Sequence, residues 1–218
     1  MAGRIPRSRS RNSKPLISMN MNDLSERLFR TLSHPNFLAM KGLANEVPIF
    51  IQTYEPSQED AIRRMVDGLV GRLRSTGITL KSLDLFSLVL DELEEHDILD
   101  DLLKGESDSE KVEILETLQN YSDPKTHLIP RLIREIGEDG AQLTLITGPG
   151  RIFPFLRTHT ILESLQPAML RHPVVIFFPG EYAQDPAGGS HLRLFGSIPS
   201  PRINNPYYRA TNLDHYRL

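Results

Sequence analysis

The fold is decided by residues 47–85, VPIFIQTYEPSQEDAIRRMVDGLVGRLRSTGITLKSLDL. The apolar, β-branched run at 47–54 predicts a strand that ends before Glu-Pro. Apolar residues then recur at helical spacing after Ser57, which together with Asp60 resembles a capping box. A second strand is predicted at 78–85. Strand, helix and strand in this order predict a βαβ unit, with parallel pairing and a right-handed crossover.

The rest of the chain continues the alternation of helices and strands. Helices are predicted at 22–32, at 85–103, after a cap at Ser107 or Ser109, at 126–136 and at 153–165; strands are predicted at 141–148, 172–180 and 191–196. This order predicts an α/β fold: a single domain with an open, mostly parallel sheet of about five strands, flanked by helices, with a helical insertion between strands two and three. We expect one α/β domain at 19–218, with an acidic helical insertion at 84–138 and an extended C-terminal arm at 197–218.

The composition excludes several kinds of chemistry. The 218 residues include 25 Lys+Arg, 28 Asp+Glu and no cysteine. Without cysteine there is no disulfide, no thiolate nucleophile and no Cys-ligated metal. The formal net charge of -3 argues against a general nucleic-acid binder. That small total hides a partition, because residues 1–18 carry +5 and residues 84–116 carry -11.

The composition of residues 1–18 predicts a disordered basic extension, since these residues are rich in Arg and Ser and have no apolar periodicity. They lack the apolar core of a secretory signal. Because Met19 and Met21 follow, we interpret them as an upstream extension of the start site or an added leader. No stretch approaches the roughly 18 consecutive apolar residues of a membrane span, so a cytoplasmic protein that does not bind membranes is expected. Direct DNA binding through the basic extension stays an alternative, whereas the folded domain is not expected to bind DNA.

The catalytic and cofactor motifs that an α/β sheet can carry are missing from the sequence. It contains neither a P-loop, nor a dinucleotide fingerprint, nor a G-x-S-x-G elbow, and its seven histidines lack metal-binding spacing. The Gly-Pro-Gly-Arg sequence at 148–151 either holds an anion at a helix N-terminus or makes a tight strand-to-helix turn. No catalytic residue, metal ligand or cofactor is therefore predicted.

One set of side chains should converge if the strands are assigned correctly. Tyr54, Asp84, Arg151, Glu181 and Tyr182 follow or end predicted strands, and the carboxyl ends of parallel strands lie at one edge of the sheet. This set is a candidate interface or ligand edge. A Glu and an Arg there could act on a substrate or could form an ion pair that closes the sheet.

The acidic segment at 84–116 has two interpretations. Thirteen acidic and two basic residues are typical of solvated helix faces, since leucines at helical spacing provide a separate apolar side. The same charge would steer a basic partner toward this segment and would repel DNA. The segment is therefore either a solubilising face or a docking surface.

Beyond these patterns, the sequence resembles a known family over about residues 22–213. It is similar to the BrxB component of the BREX (bacteriophage exclusion) defence systems of bacteria. The resemblance is carried by NDLSERLFRTLSHPNFLAMKGLANEVPIFIQTYEP at 22–56, LITGPGRIFPFLRTHTILESLQP at 145–167, VVIFFPGEY at 174–182, LRLFG at 192–196 and YYRATNL at 207–213.

The resemblance implies a non-catalytic assembly or adaptor subunit of a cytoplasmic phage-defence complex. The implied partners are other BREX proteins: first the alkaline-phosphatase-like protein PglZ, then the large ATPase and the DNA methyltransferase. The family has no established activity or catalytic residues, so the resemblance implies none here and no cofactor. A nucleotide- or anion-binding sensor or enzyme using the strand-end loops, with Arg151 and Glu181, stays the alternative. The oligomeric state is left open.

Overall fold

A sheet of seven strands runs through the part of the chain that the computed structural model describes, which is residues 20–42, 47–137, 140–168, 170–184, 190–196, 198–199 and 210–217. The strands are β1 Ile49–Tyr54, β2 Leu80–Asp84, β3 Leu143–Thr147, β4 Val174–Gln184, β5 Ser190–Leu194, β6 Ile198–Pro199 and β7 Thr211–Asn212. The helices are α1 Met21–Leu32, α2 Pro35–Leu38, α3 Glu59–Ser75, α4 Leu85–Glu95, α5 Leu99–Gly105, α6 Lys111–Tyr121, α7 Ile129–Gly137 and α8 Thr158–Leu165. The predicted α/β class, with a mostly parallel sheet and a helical insertion between the second and third strands, is confirmed.

The strand order corrects one detail of the βαβ prediction. The main sheet runs β2-β3-β4-β1-β7, and all four pairings along it are parallel. Strands β1 and β2 therefore share a direction but do not pair, because β4 and β3 lie between them. Pairing partners are chosen by long-range packing, which the local strand-helix-strand pattern does not contain.

Alternate residues of the strands supply two separate cores, one on each face of the sheet. Ile51, Ile146 and Ile176 face the core that is covered by α4, α7 and α8. Phe50 and Phe177 face the other core, which α1, α2 and α3 cover. Because both faces are covered, the central strands β1, β3 and β4 are largely apolar, whereas β2 at the end of the sheet order carries Lys81 and Ser82.

The helical insertion is more broken than its sequence suggests. A continuous helix was expected at 85–103, but α4 ends at Glu95 and α5 begins at Leu99. Asp97 adopts a left-handed φ of 59° between them, a conformation that aspartate tolerates better than most residues. The expected cap at Ser107 or Ser109 is also wrong, since α6 begins after Glu110, whose N–H donates to the Glu113 carboxylate at 3.2 Å.

Three further helix starts differ from expectation. A single 3-10 turn at Pro56–Gln58 precedes α3, so Ser57 does not cap it. The helix expected from residue 153 begins at Thr158. Pro154 disfavours the helical conformation at residue 153, where the helix was expected to begin. The helix expected at 126–136 begins at Ile129, because a π-turn at Pro124–Leu128 precedes it, and Pro130 lies in the first turn of α7.

The chain end returns to the sheet. In the described segment 210–217, β7 pairs with β1, and the side chain of Leu213 is only 3% exposed. Asp214 accepts from Arg27 at 2.7 Å and from Gln52 at 3.2 Å, which ties this segment to α1 and β1. The predicted extension at 1–18 and most of the predicted arm at 197–218 lie outside the described residues. Among the described helices, none combines the length and apolar character needed to span a membrane.

Candidate functional site

Four strand positions define what we call the carboxyl edge. The carboxyl ends of β1, β2 and β3 lie together with Pro179, the point at which β4 stops pairing with β1. Ligands bind at this edge in open parallel sheets. The five side chains predicted to converge can therefore be located one by one.

Asp84 is the centre of the contacts at this edge. It ends β2 and is also the N-cap of α4, because its Oδ1 accepts from the Ser87 N–H at 2.9 Å and from the Ser87 hydroxyl at 3.1 Å. Its Oδ2 accepts from the Thr147 hydroxyl at 3.1 Å and from the Arg151 guanidinium, with which it forms an ion pair. One carboxylate thus joins β2, β3 and the start of α4.

Arg151 reaches Asp84 because the chain turns sharply after β3. Gly148 has a φ of +86°, and a Cβ there would lie 3.0 Å from Asp84 Oδ2 and 3.3 Å from Arg151 Nη2. The guanidinium also lies 5.5 Å from the centre of the Phe86 ring. Burial and the nearby charge of Arg63 lower the pKa of Arg151. The Gly-Pro-Gly-Arg turn therefore seats an intramolecular ion pair.

Tyr54 lies beside this pair rather than in it. Its side chain is buried, and its hydroxyl donates to Glu59 Oε2 at 2.5 Å, across the turn between β1 and α3. Burial and this hydrogen bond raise the pKa of Tyr54, so the phenol stays protonated at neutral pH. The Tyr54 hydroxyl is therefore paired with a carboxylate of the same chain.

Glu181 and Tyr182 lie beyond the edge, in the part of β4 that pairs with β5. Glu181 is opposite Arg193, and its Oε1 is 3.8 Å from the position of a Cβ on Gly196. The Tyr182 hydroxyl donates to the Ala210 carbonyl at 3.1 Å, and its ring packs against the core. No contact between the described side chains joins either residue to Asp84 or Arg151, so the structure brings two of the five into direct contact.

The β4–β5 hairpin fills the space above the turn at 148–151. A Cβ on Gly150 would lie 2.9 Å from Pro179 Cγ and 3.3 Å from the Phe195 ring. Phe195 in turn packs edge-on against Phe153, with 5.9 Å between ring centres. The hairpin therefore covers the turn that the sequence offered as an anion site.

A second charged cluster was not predicted. Arg131 of α7 is 8% exposed and donates to Glu92 at 3.2 Å, while its Nη1 lies 2.9 Å from the Glu95 carboxylate. Burial disfavours the Arg131 charge, but the hydrogen bonds to the two glutamates outweigh burial and raise its pKa. Arg131 and Glu92 are 39 residues apart in the chain, so no local motif predicts this contact. It fastens α7 to α4.

One cavity lies at the opposite, amino end of the strands. It has a volume of about 670 Å³ and is bordered by α7, the segment after α8, and His172. The His172 ring is hydrogen bonded to Thr144 at 2.8 Å, and burial lowers its pKa, so it is neutral at physiological pH. The Nε2 atom of His172 is thus engaged in a hydrogen bond between two residues of the chain.

Relatives of the chain identify its family. A sequence model of the family described as "BREX protein BrxB" matches residues 81–213, which is more than half of the chain. The chain belongs to the BrxB family. The BREX protein BrxB of Bacillus cereus is 29% identical over 199 residues, covering 88% of this chain and 97% of that protein. The BREX protein BrxB of Escherichia coli is 20% identical over 192 residues, covering 85% and 93%. No solved structure matches the chain significantly.

Membership in the BrxB family confirms the resemblance drawn from the sequence. The match to both relatives extends over nearly their whole lengths, so the chain is a BrxB component of a BREX phage-defence system. The matched segment begins in β2 and ends at Leu213, and it includes Asp84, Arg151 and all of α4 to α8.

Proposed function

We propose that this BrxB-family chain is a non-catalytic assembly subunit of a cytoplasmic BREX complex, and that it binds PglZ. The large ATPase and the DNA methyltransferase are further partners in this proposal. In it, residues 19–218 act as one unit, and residues 1–18 are an extension to that unit. Family membership supports partners within the BREX system, and PglZ is the partner that the family resemblance implies.

The observation that carries the non-catalytic part is the state of the carboxyl edge. Asp84 and Arg151 are paired with each other, and Tyr54 donates to Glu59. The hairpin packs on Gly150. A general base or an anion-binding arginine needs a lone pair or N–H groups directed at a substrate, whereas Asp84, Tyr54 and Nη2 of Arg151 are engaged in contacts within the chain. These contacts support a structural role for the edge rather than a role in a reaction.

The experiment is co-purification from cells that express the whole operon with this chain tagged. We expect PglZ to co-elute with the chain during size-exclusion chromatography at micromolar concentration. The proposal would be wrong if the purified chain eluted alone when mixed with each operon protein in turn. A tagged, unrelated α/β protein of similar net charge serves as the control for non-specific retention.

One observation favours a second function, an anion sensor at the carboxyl edge. The Nε of Arg151 is buried without a hydrogen-bond partner among the described residues, and Arg63 is close enough to lower the pKa of Arg151. Two neighbouring arginines can bind a phosphate. Melting temperatures measured with ATP, GTP, inorganic phosphate and Mg²⁺ test this function against an Arg151→Ala variant. A rise in wild type that the variant lacks would establish it.

A further inference from the structure

Helices α5 and α6, with the residues that precede and join them, form what we call the acidic helix pair, residues 97–121. Eight acidic and two basic residues give it a net charge of -6. The turn between the helices is tight, since the N–H groups of Asp108 and Ser109 donate to the Gly105 carbonyl at 3.0 and 2.9 Å. The pair is thus an ordered element with a defined outer side.

The acidic helix pair packs on the protein through one side only. No residue of α5 or α6 is buried. Partly buried side chains hold the pair on the core: Ile98, Leu99, Leu102, Leu118 and Tyr121. Leu103 and Val112 point elsewhere, with 60% and 52% of their surface exposed, the highest values for large hydrophobic side chains in the described residues. The packing of the pair on the core therefore leaves these two side chains available to a partner.

Among the described residues, the ion pairs found for the acidic helix pair neutralise little of its charge. In α4, by contrast, Arg131 lies within 3.7 Å of Asp91, Glu92 and Glu95. The ion pair of Lys104 with Asp100 spans 3.5 Å, and both side chains are about three-quarters or more exposed, so solvent screens it. The acidic residues of α4 therefore share a buried arginine, whereas those of α5 and α6 are left mainly to solvent.

We propose that the acidic helix pair is a docking surface for a basic protein surface, in which Leu103 and Val112 enter apolar depressions ringed by Lys and Arg. This inference rests on the proposed assembly function. The charge selects the occupant: duplex DNA and anionic lipid are repelled, and so is the same face of a second copy. A protein partner with a basic patch satisfies both the charge and the apolar side chains.

This arrangement assigns different roles to the two kinds of residue. The carboxylates raise the association rate through long-range attraction, which salt screens. The two apolar side chains are buried on binding and lower the dissociation rate. The roles can therefore be separated by kinetics.

The test measures binding of purified full-length chain to immobilised PglZ, with the ATPase and the methyltransferase in parallel, at three salt concentrations. Leu103→Ser/Val112→Ser should weaken binding at least tenfold, mostly through faster dissociation. Its matched control is Ile133→Ser, which truncates an exposed side chain of α7 outside the pair. Asp101→Asn/Glu106→Gln should slow association several-fold and flatten its salt dependence, whereas Asp67→Asn/Glu163→Gln, with the same charge change elsewhere, should not.

The outcomes distinguish the docking surface from the function on which it rests. If the wild-type chain binds none of the three proteins, the proposed function and the docking surface both fail. If wild type binds, and both test variants bind equally well with unchanged melting temperatures, the docking surface alone is overturned. Light scattering of the free chain tests the other occupant: a concentration-dependent dimer that Leu103→Ser/Val112→Ser abolishes would assign the face to a second copy and overturn the proposal.

Discussion

The carboxyl edge and the acidic helix pair are both rich in charge, but they differ in what their charges contact. At the edge, the Asp84 carboxylate accepts from Ser87, Thr147 and Arg151. In the helix pair, the ion pair of Lys104 with Asp100 is exposed to solvent, and neither helix has a buried residue. The edge is held by its own contacts, whereas the pair presents its groups to solvent.

This difference indicates which of the two regions can gain more free energy by binding a partner. A side chain that already donates to a neighbour must break that contact before it binds a ligand, and a buried polar group left without a partner is costly. Exposed leucine and valine side chains lose only water when a partner covers them. The carboxyl edge lies where ligands bind in other parallel sheets, but in this protein it is less available for binding than the acidic helix pair.

The largest expected effect contrasts a glycine that directly follows Pro179 of the carboxyl edge with a glycine of the acidic helix pair. Gly180, where β4 changes from parallel to antiparallel pairing, has a φ of +153°, and a Cβ there would lie 2.0 Å from the Arg193 carbonyl oxygen. Gly180→Ala should lower the free energy of unfolding by about 3 kcal/mol or more, because backbone must move. In α5, a Cβ on Gly105 would meet Ser109 Oγ at 3.6 Å, an ordinary contact. Gly105→Ala should raise stability by about 0.5 kcal/mol, as alanine favours helices.

Urea denaturation of the two variants measures both values. Equal effects would show that the edge is no more tightly packed than the helix pair, and the comparison between the regions would then be lost.

A smaller effect is expected when the charge at the centre of the edge is removed. Asp84→Asn keeps an oxygen for the cap of α4 but loses the ion pair with Arg151, whose side chain is 28% exposed. We expect a loss of about 1.5 kcal/mol, reduced by partial solvent screening. A double-mutant cycle with Arg151→Met isolates the coupling between the two side chains. Additive losses would contradict a structural ion pair.

The sequence predicts much of the fold because the decisive segments are long and periodic. The strands β1, β3 and β4 and the helix α3 are each marked by an apolar run or a helical repeat that ends at Gly or Pro. The separation of β1 from β2 was not predictable, since strand order depends on which faces pack together. The break of the first insertion helix at Asp97 was missed because a single left-handed residue leaves no periodic signal.

The candidate site was predictable in part for a similar reason. Asp84 and Arg151 each end or follow a strand, so topology alone places them at one edge, and the structure shows them in contact. Glu181 and Tyr182 lie away from Asp84 and Arg151 because β4 continues past the edge and pairs with β5, whereas the Pro-Gly sequence predicts that the strand ends at residue 180. The Arg131 cluster joins residues of two different helices, and only the three-dimensional packing reveals it.

Hydrogen exchange on the complex with PglZ tests the central claim most directly, because one experiment reports on both regions. We expect peptides from residues 97–121 to exchange fastest among the helices of the free chain, since no side chain of α5 or α6 is buried, and to slow several-fold in the complex. Peptides that contain Asp84 and residues 148–151 should exchange at the same rate in both states. Protection of the carboxyl edge, with no change at 97–121, would contradict this account.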